Sequence, residues 1–364
     1  METNQSHMIR RKAILRKIFY VYTISGIIFC LSLKQSCAQT YAEKSGWKKG
    51  EKVVIFHVDD AGMSYDSNVG AIKALDYGIA TSVSIMMPCP WVPDMLKYLK
   101  KHPEIDAGLH LTFNSEWEGY RWGPLTGSVG TSGLVDQESV FWNNVQDVIA
   151  HASAEEIEAE LKAQLTRARK MGLSPTHLDT HMGALWAKPD FLEKYIQTGI
   201  REHIPVLFAA GHGTLLRNQL RSGPLSGLQQ LAKNPENMEN VLEAIRKKGE
   251  QLWNNGLAVA DDLYLLSYDW EIPAGAIHSE ENLKKFKTEG YKRLIKDLKP
   301  GITVVLIHCT QSSESFRNIS DSGLTRKGDL LSMMDPELKQ FIEKEGIRLS
   351  SWRELQQRRD ALPH

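Results

Sequence analysis

Residues Val53–Gly62 read Val-Val-Ile-Phe-His-Val-Asp-Asp-Ala-Gly. Five of the first six are apolar, so Val53–Val58 is expected to be a strand buried on both faces. Asp59 and Asp60 follow where that strand should stop, and Gly62 permits the turn beyond it. Neighbouring side chains on extended backbone point opposite ways. The two carboxylates are therefore expected to do different jobs.

Outward from this stretch, strand-like segments recur at Thr81–Met87, Ile105–Leu111, Pro175–His181, Ile204–Ala209, Leu263–Tyr268 and Thr303–Ile307. Between them lie helical patterns at Ser67–Tyr77, Trp91–Lys100, Pro189–Thr198, Met238–Trp253, Ser279–Leu298 and Asp335–Glu345. A further helix opens at Ser153 with a Ser-x-x-Glu capping box and closes at Gly172. Ile347–Ser350 and Trp352–Gln357 end the chain's pattern. Alternation of this kind implies parallel strands. The leading fold is an α/β (β/α) barrel, deformed or seven-stranded, with the doubly wound open sheet as alternative. No glycine-rich phosphate loop or dinucleotide fingerprint is present. Residues 39–364 read as one domain, preceded by a polar lead-in at 39–50 and interrupted by insertions near 113–150 and 211–260.

With 364 residues, 42% hydrophobic and 24% charged, the chain has the composition of an ordinary globular protein. The formal net charge of zero hides an asymmetry. Residues 1–38 hold six of the 44 Lys/Arg and one of the 44 Asp/Glu, which leaves −5 on the remainder. A mildly acidic body argues against nucleic acid as a partner. The basic stretch at 10–17, the apolar run Ile18–Leu33 and the small residues Ser36 and Ala38 form a secretory signal with a cut after Ala38. Residues 1–38 are accordingly expected to be removed on export to a periplasmic or extracellular location. An uncleaved anchor and lipidation of Cys37 are the less favoured alternatives. Cys89 and Cys309 remain, either bridged or as small buried residues.

Asp59, Asp60, His110, His181, Asp269 and His308 all fall at the carboxyl ends of expected strands. In a barrel those ends form one face, where active sites lie. Two imidazoles and a carboxylate suit a divalent ion with positions left open for water. His177, Asp179 and His181 share one face of a strand, so one can ligate while another orients it. Trp117, Trp122, Trp186 and Trp270 follow site-bearing strands and are candidates to stack on a sugar ring.

Val-Asp-Asp-Ala-Gly at 58–62, Gly-Ile-Ala-Thr-Ser at 78–82, Gly-Leu-His-Leu at 108–111 and Thr-His-Leu-Asp-Thr-His at 176–181 resemble the YdjC-like carbohydrate deacetylases. The resemblance is clear from Lys52 to Ile204 and continues weakly to His308. It implies a (β/α) barrel related to polysaccharide deacetylases, one bound divalent metal (zinc or magnesium), and removal of acetyl groups from N-acetylated sugars. By the same resemblance Asp60, His110 and His181 match the metal ligands and Asp59 the general base. Ala61 stands where the family usually has Phe, and Met182-Gly183 where a further His often follows. Both departures border the site and bear on the substrate more than on the metal. His308 is the candidate general acid because it ends a strand across the barrel. A sugar-binding barrel without catalysis and an O-acetyl ester hydrolase are the competing readings. The expected partner is an N-acetylated carbohydrate, with a homodimer left open.

Overall fold

The computed structural model describes residues 39–127, 132–220, 223–270, 272–273 and 279–362. The expected signal segment and the Cys37 alternative lie outside the described residues. Seven parallel strands form the sheet: β1 (Lys52–Ala61), β2 (Ser82–Ile85), β3 (Ala107–Leu111), β4 (Leu178–Thr180), β5 (Asp262–Tyr264), β6 (Gly301–Ile307) and β7 (Arg348–Leu349). Their order is β4-β3-β2-β1-β6-β5, with β7 beside the start of β1. Single bridges join Leu178 of β4 to Val206, and Ala209 to Ala260 just before β5. The segment 206–209 thus links the two edges of the curled sheet. The architecture is α/β, a deformed (β/α) barrel.

β1 is central because it is apolar enough to be covered on both sides. Val53, Val54, Ile55, Phe56 and Val58 are fully buried. The strand runs further than the apolar pattern suggests and includes both aspartates. Between Val58 and Ala61 its register against β2 slips by one residue, a β-bulge, and Asp60 takes a left-handed φ of 64°. Bulges bend a strand and re-aim side chains. The expectation that Asp59 and Asp60 diverge is therefore corrected, since both carboxylates border one cavity.

Other strands are shorter than expected. Ile204–Ala209 is reduced to isolated bridges at Val206 and Ala209, and Pro205 has no N–H to extend the pairing before Val206. Beyond Tyr264 the ladder stops, and the Gln219 side chain takes its place, bonding Leu263 O (2.7 Å) and Leu265 N (2.9 Å). The 113–150 insertion is not featureless. It contains a 3-10 turn at Ser132–Leu134, a bridge between Val135 and Phe141, and a helix at Val145–His151. The polar lead-in holds a short helix, Tyr41–Lys44, whose first amides donate to the buried Asp261 carboxylate. The helix Gly323–Met333 has no counterpart in the sequence reading. Cys89 and Cys309 are both free and buried. Residues Thr40–His364 form one compact unit.

Candidate active site

The carboxyl ends of β1, β3 and β4 bring three ligand atoms together. Asp60 Oδ1 lies 3.2 Å from His110 Nε2 and 3.3 Å from His181 Nδ1. The two nitrogens are 3.2 Å apart. All three residues are buried, and Asp60 Oδ1 makes no hydrogen bond. Donor atoms on a tetrahedral zinc with bonds of ~2.0–2.1 Å stand roughly 3.3 Å apart. The trio fits such an ion, and an orphaned buried carboxylate oxygen is the atom a cation would satisfy.

The outer atom of each residue is tied to a different part of the fold. Asp60 Oδ2 accepts from Arg326 Nη1 at 2.6 Å. His110 Nδ1 lies 2.7 Å from Asp179 Oδ1. His181 Nε2 lies 3.0 Å from Glu116 Oε2. Burial alone would raise the Asp60 carboxyl, but the Arg326 charge and the neighbouring imidazoles outweigh it and hold it well below the usual range. For His181, burial lowers the imidazole; the Glu116 and Asp60 carboxylates outweigh this and push it up to about 9.

Two further buried groups could in principle hold an ion, His57 with His177 and Asp179, and Asp59 with His110 and Asp179. Neither His57, His177 nor Asp179 borders the cavity. Among the described residues, only Asp60, His110 and His181 form such a group with every member bordering that space. The cavity measures about 610 Å³ and is also bordered by Asp59, Glu116, Trp117, Trp186, Tyr268, Asp269 and His308.

Asp59 sits beside the trio, its Oδ1 3.2 Å from His57 Nε2 and its Oδ2 3.9 Å from His308 Nε2. Burial would lower His57, but bonds to Asp179 and Asp59 outweigh it and push the imidazole up to about 9. His308 moves the other way, lowered by burial and then by the Arg326 charge.

Several sequence-derived roles change place. Asp179 contacts one member of the trio, its two oxygens joining His110 to His57 (2.7 and 2.6 Å). His177 does not reach the trio; its ring lies edge-on to His57 at 4.7 Å and stacks on Trp352. The backbone of Gly108 leaves no room for a Cβ there, which would fall 2.4 Å from the His177 ring. Trp117 and Trp186 border the cavity. Trp122 is buried behind it, edge-on to His181 at 6.4 Å, with its Nε1 donating to Asn114 O. Trp270 faces away, packed on Tyr291 with its Nε1 donating to the Tyr264 hydroxyl. Sequence reading missed His57, Glu116 and Arg326. His57 left a signal, a polar residue inside an apolar strand two positions before Asp59 and so on the same face. Glu116 and Arg326 lie outside any strand pattern and left none.

The YdjC-like protein family model matches residues 53–344. The chain belongs to the YdjC-like family. Within it, a carbohydrate deacetylase of Thermus thermophilus is 40% identical over 148 residues, 41% of this chain and 50% of that protein. A carbohydrate deacetylase of Thermoanaerobacter pseudethanolicus is 22% identical over 301 residues, 83% of this chain and 98% of the relative. The stronger match thus spans about half the length of its relative. A solved Enterococcus faecalis structure, named for a proposed cellobiose-phosphate cleavage role, superposes with a TM-score of 0.62 at 19% identity. That superposition covers 84% of this YdjC-like chain and 99% of the other, a likeness of fold.

Proposed function

We propose that the protein is a metal-dependent hydrolase that removes acetyl groups from N-acetylated sugars or oligosaccharides. The observation that carries this reading is the convergence of Asp60, His110 and His181 beside a second carboxylate, Asp59, in one cavity. A purely sugar-binding site has no need of that spare carboxylate. The relatives' carbohydrate deacetylase names support the same class.

Asp60, His110 and His181 would hold one divalent ion, zinc or magnesium. Such an ion supplies polarisation of the acetamide oxygen and a more acidic water. Asp59 takes the proton of the attacking water as the new C–O bond forms. His308, across the cavity and lowered toward its neutral form, takes that proton from Asp59, whose Oδ2 lies 3.9 Å from its Nε2, and passes it to the nitrogen as the C–N bond breaks, releasing acetate and a free amine. Trp117 offers an aromatic face on which a sugar ring can lie, and the buried Trp186 lines the same cavity. The amino-terminal pattern supports export, with residues 1–38 removed and residues 39–364 acting as one domain.

The test is acetate release from matched panels of N-acetyl and O-acetyl sugars, with and without added zinc or magnesium. Release from N-acetyl sugars that depends on metal is expected. Release from O-acetyl sugars alone would move the activity to ester hydrolysis, and sugar binding without any release would make the barrel a lectin-like module.

A further inference from the structure

We propose that Glu116 is a positioning residue of the metal centre, and that the irregular segment around it is built to deliver its carboxylate to His181. The proposal rests on Asp60, His110 and His181 being the metal trio. A ligating imidazole must offer one nitrogen as a lone pair and place the N–H of the other on an acceptor. The two histidines here solve this in opposite senses. His110 turns Nε2 toward Asp60 and gives Nδ1 to Asp179. His181 turns Nδ1 toward Asp60, which leaves Nε2 to be satisfied from the other side. Both oxygens of Glu116 lie there, at 3.1 and 3.0 Å. Without an acceptor at Nε2, the Nδ1-protonated tautomer, which cannot ligate through Nδ1, is no longer disfavoured.

The segment carrying Glu116 is itself held by bonds of little other evident use. Asn114 Nδ2 donates to Glu116 Oε2 (3.2 Å). The Trp122 indole N–H holds Asn114 O (3.0 Å), and the Trp122 amide donates to Ser115 Oγ (3.0 Å). The Ser115 amide donates to Trp142 O (2.8 Å). Trp122 also packs edge-on against His181. Its role is then to brace the Glu116–His181 contact from behind, in place of the sugar stacking that its sequence position suggests.

The experiment is zinc titration by calorimetry, with cobalt(II) absorption as a second readout of ligand geometry. The proteins are wild type, Glu116→Gln, Glu116→Ala, Trp122→Phe and the Trp122→Phe/Glu116→Ala double variant. Loss of an outer hydrogen-bond partner costs ~10–100-fold in metal affinity, so Glu116→Ala should fall in that range with an altered cobalt spectrum. Glu116→Gln, whose amide oxygen still accepts an N–H, should recover most of the affinity. Trp122→Phe should weaken zinc binding in the wild-type background and have no further effect once Glu116 is gone. Unchanged zinc affinity in Glu116→Ala, or an equal loss in Glu116→Gln, would overturn the proposal. Absence of zinc binding by the wild-type protein would overturn the trio as well, and this is read without any assay of acetate release.

Discussion

The guanidinium of Arg326 sits 2.6 Å from the outer oxygen of Asp60, with both groups buried. Arg326 also lies over the faces of Trp117 and Tyr268, so it is clamped in place. Removing one partner of a buried pair strands the other, at a cost of about 3–5 kcal/mol. Arg326→Ala should destabilise the metal-free protein by roughly that amount in denaturant melts. Saturating zinc should recover part of the loss, because an ion on Oδ1 also compensates the carboxylate. Equal melts for variant and wild type without metal would refute the pairing's importance.

Asp59 and Asp60 share the cavity but not their hydrogen-bond partners, which predicts separable phenotypes. Asp59→Asn cannot accept the water proton and should cut turnover by on the order of 10²–10⁴ with metal affinity retained. Asp60→Asn should weaken metal binding, and excess metal should restore part of its rate. Acetate release measured against metal concentration distinguishes the two. The opposite pattern would mean the roles are reversed.

His308 is expected to protonate the leaving nitrogen. His308→Gln should reduce turnover on N-acetyl sugars by on the order of 10²–10⁴ and leave zinc affinity unchanged. Acetyl substrates whose leaving group needs no proton should lose far less. A uniform loss across both substrate types would contradict a proton-donor role.

His57 and His177, with ring centroids 4.7 Å apart, are shifted in opposite directions. Burial and then the His57 charge press His177 from 6.5 down to about 4. The unfolded chain therefore binds the extra proton first as pH falls. The stability contributed by neutral His177 is fully present above 6.5 and is lost as pH drops toward 4. In His177→Gln, denaturant melts of the metal-free protein should show a shallower loss between those limits. An identical slope in variant and wild type would remove His177 from the acid response.

Export is expected to leave a mature chain beginning at Gln39. The intact mass of the protein recovered from the medium or periplasm checks it. A mass that retains the first 38 residues would exclude cleavage after Ala38, and a lipid-sized increment at Cys37 would point to an anchor.

Much of the candidate site was legible because its polar residues occupy one repeated position. A buried parallel strand announces itself by an apolar run, and a polar residue at its carboxyl end is conspicuous. Asp60, His110, His181 and His308 were visible in this way. The tryptophans were not, because aromatic residues serve cores and sugar surfaces alike. Trp122 packs edge-on to His181 and Trp270 packs on Tyr291, and nothing local separates them from Trp117 and Trp186.

The alternation of strands and helices, the strand-end placement of the polar site residues and the capped helix after Ser153 follow from periodicity, turn chemistry and side-chain type over a few neighbouring residues. What only the tertiary structure decided is how those groups face one another. A bulge with positive φ at Asp60 turns both aspartates into one cavity. Asp60 meets Arg326 across 266 residues of chain, and His181 meets Glu116 across 65. Contacts of that kind depend on which helix or loop packs over the barrel mouth. Packing is settled by the whole core at once, so no local pattern near Glu116 or Arg326 records it.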